Sequence, residues 1–424
     1  MEPEFDALVA RIDPDRIDRR LDDLAAIGRT RSGGVTRLAY TDEETAAIEY
    51  VIDELPAGYE VRTDPLGNVF AARTLDADRT FLTGSHLDTV FNGGRLDGSL
   101  GVVVAMEAIE AVHRSDADPN CEPTLVIFRA EESARFGRHT IGSRGALGML
   151  RVEDLSATDQ NDVPLWQAMR EVGCQPGDLS EPTIDPERVA GMVEVHIEQG
   201  RVLDEADEGL GIVTSIRAPV RYRVTVEGRD DHSGATPMGL RRDAIAGAAE
   251  LIGTVETIGR ESAADGDLVA TVGDVTPVDG AMNVVCGEVS FPLDVRSNDL
   301  AVRDRAEKRL LAAFDDVAER RGLSIDLEEL DRSEPVELDD ALGDRLAAAA
   351  ASATSAHRRL PSGGGHDAMN VQLAGIPAGM VFVPSVDGVS HNPDEETDPE
   401  AVADAAAVIA RTVIEAEPSD GDRA

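Results

Sequence analysis

Thr124-Leu125-Val126-Ile127-Phe128-Arg129-Ala130-Glu131-Glu132 is a branched, apolar run that stops on two adjacent carboxylates. A short run of this composition reads as a buried β-strand, and strand ends are where α/β sheets gather their active sites. Strands usually close on Gly, Asn or one solvated charge. Two acidic neighbours repel each other, and a cation is the natural reason to place them together. His86, Asp88, Asp97, His196 and His391 stand in loop-like contexts elsewhere in the chain. Residues of these types can hold a pair of divalent metals and leave one carboxylate over as a base, so a dinuclear metal centre is the first expectation.

Around that strand the pattern alternates. Thr41 and Glu44 have the form of a capping box, opening a helix that runs to Leu55 and stops at Pro56-Ala57-Gly58. Strands are expected at 59–62, 68–73 and 80–83, with a helix over 101–112, and this alternation points to an α/β sheet. Residues 216–330 have a different rhythm: strand 221–226, helix 242–255, strands 268–275 and 288–296, helix 301–321 and strand 324–330. This is β-α-β-β-α-β, the split pattern of a ferredoxin-like layer. An alanine-rich helix (339–353), the loop Gly363-Gly364-Gly365, a strand (379–383) and a helix (399–415) follow before an acidic tail. The expected architecture is α/β: a discontinuous catalytic domain (1–215 and 331–424) interrupted by a small inserted domain (216–330).

The 424 residues give ample core, but the charge is unusual. Asp and Glu number 82 against 40 Lys and Arg, a net charge of −42, and Lys308 is the only lysine. The acid is spread along the chain and so does not mark one disordered segment. In molar salt the Debye length falls to about 3 Å and such self-repulsion is screened, as expected of a protein adapted to a saline cytosol. The same surface argues against nucleic acid and anionic membranes as partners. Cys121, Cys174 and Cys286 are scattered, suggesting neither a disulfide framework nor a thiolate metal site. The stretch Met1-Glu2-Pro3-Glu4-Phe5-Asp6 lacks the basic and apolar regions of a signal peptide, and no apolar run approaches the ~20 residues of a membrane span. A soluble, cytoplasmic protein is expected.

Each candidate ligand also has an ordinary explanation. His86 and Asp88 fall on one side of an extended segment; the carboxylate can accept the second imidazole N–H of a metal-bound His86, or the pair is a capping Asp beside a surface His. Asp97 precedes a helix and can be an N-cap or a carboxylate bridge between two cations. His196, at a strand end, and His391, in a loop, are unremarkable alone.

Together the motifs are specific. Gly84-Ser85-His86-Leu87-Asp88-Thr89, Asp97-Gly98 and Glu131-Glu132 resemble the dinuclear-zinc aminoacylase and carboxypeptidase superfamily. His196-Ile197-Glu198-Gln199-Gly200 resembles its branch of N-carbamoyl-L-amino-acid hydrolase, β-ureidopropionase and allantoate amidohydrolase, where a His replaces an acidic peptidase ligand. Residues 228–238, 362–368 and 381–391 match the same branch. The resemblance implies a mixed-sheet metallohydrolase domain with a ferredoxin-like lid and dimerisation domain, working as a homodimer.

Carried over, it implies one metal on His86, Asp97 and His196 and another on Asp97, Glu132 and His391. All-N/O ligation suits Zn²⁺, with Mn²⁺ and Co²⁺ compatible. Glu131 becomes the general base, with Asp88 orienting the site; a local kink or bulge in that loop is then expected, because neighbours on an ideal strand face opposite ways. His232 matches the family histidine that donates to the oxyanion. Arg221, Asn283 and Arg296 match substrate-binding positions, where an amide can read a ureido group and arginine a carboxylate. Gln199 is a possible pocket residue, and Gly364 lets backbone approach a ligand. The family usually has proline at the position of Cys286. The implied reaction is hydrolysis of the carbamoyl C–N bond of a ureido acid; an aminoacylase or dipeptidase on the same scaffold is the alternative, disfavoured by His196 and its Glu198-Gln199-Gly200 continuation. A non-catalytic relative is disfavoured because Glu131 and all five ligands are present.

Overall fold

The computed structural model describes residues 8–177, 182–353 and 356–416; the acidic N-terminal stretch and the end of the acidic tail lie outside the described residues. The chain falls into two compact units, one drawn from the chain up to Thr214 and again from Glu337 onward, the other Ser215–Val336.

In the first unit nine strands form one mixed sheet among the described residues. Its order is Glu60–Thr63, Val69–Ala72, Glu122–Phe128, Thr80–His86, Val189–Ile197, Ala378–Val383, Leu210–Ile216 and Val336–Glu337, with His357–Ser362 pairing Leu210–Ile216. Thr80–His86 runs parallel to Glu122–Phe128 and to Val189–Ile197, which in turn runs parallel to Ala378–Val383. The carboxyl ends of these four central strands therefore lie along one edge, and His86, the residues after Phe128, His196 and the loop after Val383 arrive there together. All nine residues of Val189–Ile197 are buried, as expected for a strand covered on both faces.

The helix Ser99–Arg114 is buried from Ser99 to Val112 and extends past both expected ends. Two of its buried residues are acids. Arg16 Nε donates to Glu107 Oε2 at 2.8 Å and Arg20 Nη2 to Glu110 Oε1 at 2.7 Å, from a helix (Pro14–Ala26) that apolar spacing did not single out. The capping box at Thr41 is half formed. Thr41 Oγ1 accepts from Glu44 N, but the Glu44 carboxylate accepts from Tyr40 N and from the Arg129 guanidinium. Glu44 thus ties the helix Asp42–Glu54 to the strand end that precedes Glu131.

The second unit is an antiparallel sheet in the order Thr276–Val278, Glu288–Ser297, Ala218–Glu227, Ser324–Arg332, with Val269–Thr271 also pairing Glu288–Ser297. This is the ferredoxin-like order, and the expected strand at 268–275 is split into two short ones. Burial alternates strictly along Ala218–Glu227 and Glu288–Ser297. Val220, Val224, Phe291 and Leu293 pack with Leu251, Val255 and Phe314 of the helices Ala244–Asp265 and Leu300–Arg321. Ala244–Asp265 runs ten residues beyond its expected end. Among the described residues, no helix is long and apolar enough to cross a membrane.

Candidate metal centre

Asp97 joins two groups of potential metal ligands. His86, Asp97 and His196 form one and Asp97, Glu132 and His391 the other, each with ligand atoms within 4.8 Å of one another. His196 Nε2 lies 2.9 Å from Asp97 Oδ1, and His391 Nε2 lies 3.1 Å from Asp97 Oδ2 and 3.2 Å from Glu132 Oε1. Each Asp97 oxygen thus faces one group, the arrangement a bridging carboxylate requires. The alternative reading of Asp97 as the cap of the following helix is not met: the cap position is Gly98, and no side chain caps it. Gly98 has φ +66°, and a Cβ there would lie 2.4 Å from the His86 ring, so only glycine fits beneath that ring.

Main-chain carbonyls orient two of the imidazoles. His86 Nδ1 lies 3.0 Å from Asp88 O and His196 Nδ1 lies 2.9 Å from Ile197 O, so each Nδ1–H donates and each Nε2 lone pair turns toward the site. Of the two roles expected of the Asp88 carboxylate, accepting the other His86 N–H or orienting the site, the first is taken by the Asp88 carbonyl, and the nearer carboxylate oxygen is 3.5 Å from His86 Nδ1. Asp88 Oδ1 and Oδ2 instead accept from the backbone N–H groups of Glu131 and Glu132, each at 3.0 Å. One carboxylate therefore fixes both glutamates. The expected kink is present as φ +56° at Ala130, a left-handed conformation uncommon for a residue with a Cβ.

Burial pushes the Glu131 carboxyl well above the usual carboxylate range; His86 opposes this and Glu132 reinforces it. Burial also works against ionisation of Asp97, yet His196 and His391 hold its carboxyl well below that range. Hydrogen bonds to Asp97 and Glu132 push the His391 imidazole up to about 10. The negative potential that draws protons onto these imidazoles also favours a cation, and a donor set of three imidazoles and two carboxylates suits divalent zinc, manganese or cobalt.

Gln199, at φ +59°, donates its amide to both Asp97 oxygens at 3.3 and 3.1 Å. A Cβ on Gly364 would lie 3.2 Å from Gln199 Oε1, so that glycine stands beside the same group. Sequence reasoning gave no role to His366, whose ring packs edge-on against His196 at 4.6 Å and whose Nε2 lies 2.9 Å from Ser362 Oγ. Nor did it find Glu395, whose carboxylate accepts backbone N–H groups from both ligand loops. Neither the ring and hydroxyl contacts of His366 nor the main-chain contacts of Glu395 leave a periodic trace in the sequence.

The remaining candidates belong to the second unit. His232 Nδ1 accepts from Gly234 N and Ala235 N, both at 3.1 Å, which leaves the proton on Nε2 of this exposed ring. His232 pairs in register with Val284, and Asn283 O accepts from Ser233 N, bringing Asn283 beside the histidine. Arg221 and Arg296 lie on the face away from the helices and share Asp294: Arg221 Nε is 2.9 Å from Oδ2, and Arg296 Nε and Nη2 are 3.0 and 2.8 Å from its two oxygens. Cys286, at the usual proline position, is buried with its thiol 3.1 Å from Glu288 O.

Residues 82–415 match the model of peptidase family M20/M25/M40. The chain is 38% identical over 406 residues to an N-carbamoyl-L-amino acid amidohydrolase of Geobacillus stearothermophilus, covering 95% of this chain and 98% of the relative. It is 36% identical over 378 residues to an allantoate amidohydrolase of Bacillus subtilis, covering 88% and 90%. A crystal structure of an amidase of the hydantoinase/carbamoylase family from Burkholderia multivorans superposes with a TM-score of 0.87 at 33% identity, over 96% of this chain and 98% of that one. With two ligand clusters meeting at one shared aspartate, the chain belongs to the M20/M25/M40 family, in its hydantoinase/carbamoylase branch of metal-dependent amidohydrolases.

Proposed function

We propose that this enzyme hydrolyses the carbamoyl C–N bond of a ureido acid: an N-carbamoyl-L-amino acid, allantoate or 3-ureidopropionate. The observation that carries the reading is Asp97 shared between two ligand clusters, one of which includes His196, with Glu131 held beside them by Asp88. Relatives named as N-carbamoyl-amino-acid and allantoate amidohydrolases, similar along nearly the whole chain, support it.

His86, Asp97 and His196 would hold one divalent cation and Asp97, Glu132 and His391 the other, with Zn²⁺ the first choice and Mn²⁺ or Co²⁺ alternatives. Such a pair supplies Lewis acidity to the carbonyl and makes the attacking water acidic. Glu131 takes the proton of that water as its oxygen bonds to the carbonyl carbon, then returns it to the departing nitrogen. The C–N bond breaks to give ammonia and a carbamate, which decomposes to carbon dioxide and the amine. His232, with its proton on Nε2, donates to the oxyanion. Arg221, Asn283 and Arg296 bind the substrate's carboxylate and amide, with Asp294 setting the two guanidiniums; Gln199 and Gly364 border the pocket.

Residues 216–330 act as lid and dimerisation domain, with residues 1–215 and 331–424 catalytic. The protein works in the cytoplasm, and its charge of −42 makes it dependent on high salt. The test is ammonia release from allantoate, 3-ureidopropionate and several N-carbamoyl-L-amino acids in molar KCl, with an N-acetyl amino acid and a dipeptide as controls. Turnover of one ureido acid, abolished by Glu131→Gln, is expected. Cleavage of only the acyl or peptide controls would overturn the reading in favour of an aminoacylase or dipeptidase.

A further inference from the structure

Glu395 is 5% exposed, and its carboxylate is committed entirely to main chain in its described hydrogen bonds. Oε2 accepts from Leu96 N at 3.0 Å and Asp97 N at 3.2 Å; Oε1 accepts from His391 N at 3.0 Å. Asp97 and Glu395 are 298 positions apart, so these bonds join two loops that nothing in the local chain would hold together. His391 sits at φ +54°, a conformation a side-chain-bearing residue keeps only when its surroundings enforce it. Gly94 makes room for the contact, since a Cβ there would fall 1.9 Å from Glu395 Oε2.

We propose that Glu395 is a positioning residue that holds the Asp97 and His391 loops at the separation the Asp97, Glu132 and His391 cluster needs. The effect is selective. Asp97 is also held by Gln199 and lies against His196, so the His86, Asp97 and His196 cluster keeps a brace of its own. His391 belongs to the other cluster alone. Glutamine at 395 offers one oxygen and one NH₂ group. If the oxygen stays with the paired Leu96 and Asp97 donors, the NH₂ must face His391 N–H, donor against donor, and the His391 loop is released.

This inference rests on the two-cluster reading, and the experiment separates the two. Metal-free protein is titrated with Co²⁺, following heat and the visible absorption of the bound ion, for the parent, E395Q, G94A, E395A and G94A/E395A. Far-UV circular dichroism and the thermal midpoint before metal addition show whether each variant folds. The parent is expected to take two equivalents. E395Q should bind the first as the parent does and the second about 10–100-fold more weakly, the range for losing a group that orients a ligand. G94A should reproduce this loss without touching Glu395, and should add nothing in the E395A background, where no carboxylate remains to be displaced. A second equivalent bound equally tightly by E395Q, equal weakening of both equivalents in folded protein, or a further loss from G94A in the E395A background would overturn the clamp. A parent that takes fewer than two equivalents would overturn the two-cluster reading instead.

Discussion

Asp88→Asn is the most discriminating substitution for the catalytic geometry. The Asp88 carboxylate is buried and accepts from both Glu131 N and Glu132 N at 3.0 Å. Asparagine is nearly isosteric, so packing is retained, but it presents one oxygen and one NH₂ group. One of the two N–H groups must then face a donor. A hydrogen bond to a charged acceptor contributes about 1.5–3 kcal/mol, and an unsatisfied buried donor costs about 1–3 kcal/mol. If about 3–4 kcal/mol of this is expressed where Glu131 is aimed at the water, the rate falls by about 10²–10³-fold, at 1.36 kcal/mol per decade. Aim matters in the transition state more than in the substrate complex, so kcat should fall with KM little changed. The assay is ammonia release at substrate saturation, with metal content measured on the same sample so that loss of a cation is not mistaken for loss of aim. A kcat within about fivefold of the parent at full metal content would refute the idea that Asp88 acts through these two backbone bonds.

Three further outcomes follow from the same structure. His232→Ala should lower kcat by about 10²–10³-fold, the cost of a lost oxyanion donor, and His232→Gln, whose amide reaches toward the Nε2 position, should recover part of it; an unchanged His232→Ala enzyme would remove this residue from the chemistry. Chelation should abolish turnover and lower the thermal midpoint, since a ligand at about 100 times its Kd stabilises the folded chain by about 2.7 kcal/mol; identical melting with EDTA and with Mn²⁺ would contradict a bound metal. Burial, aided by Arg73, lowers the His113 imidazole to about 4 from an ordinary 6.5. The unfolded chain therefore binds a proton that the folded one excludes, and stability should decline as pH falls from about 6.5 to about 4, then level off. The difference in unfolding free energy between parent and His113→Gln, measured by denaturant across this range, should show that slope; an opposite slope would refute it.

Much of the site was legible because metal chemistry is written in residue types. An apolar run ending on Glu131 and Glu132 points to a cation, and a kink in that loop, found at Ala130, was foreseeable because neighbours on a strand diverge. The alternation that marks Ala218–Glu227 and Glu288–Ser297 as half-buried strands is likewise local. What local reading did not reach has one origin. Asp88 was read from its spacing to His86 as an acceptor for that imidazole or a residue orienting the site, and the partners of its carboxylate, the backbone of Glu131 and Glu132, lie across the fold. Glu44 was read as half of a local capping box, and its carboxylate instead serves Tyr40 and Arg129. Glu395 and His366 were passed over because the contacts that bring them to the site, with Leu96 and Asp97 and with His196, are to residues distant in sequence.

By itself, then, the sequence determined the residue types of the metal site, the strand that presents its two glutamates, the ferredoxin-like rhythm of residues 216–330 and the acidic surface, since each rests on composition or on short-range periodicity. Only the tertiary structure decided that Asp97 turns one oxygen toward His196 and the other toward His391, that Asp88 holds the backbone of both glutamates, and that Glu395 ties the two ligand loops together. Those contacts exist because parallel strands bring their carboxyl ends to one edge of the sheet, and strand order is set by long-range packing that no local pattern encodes.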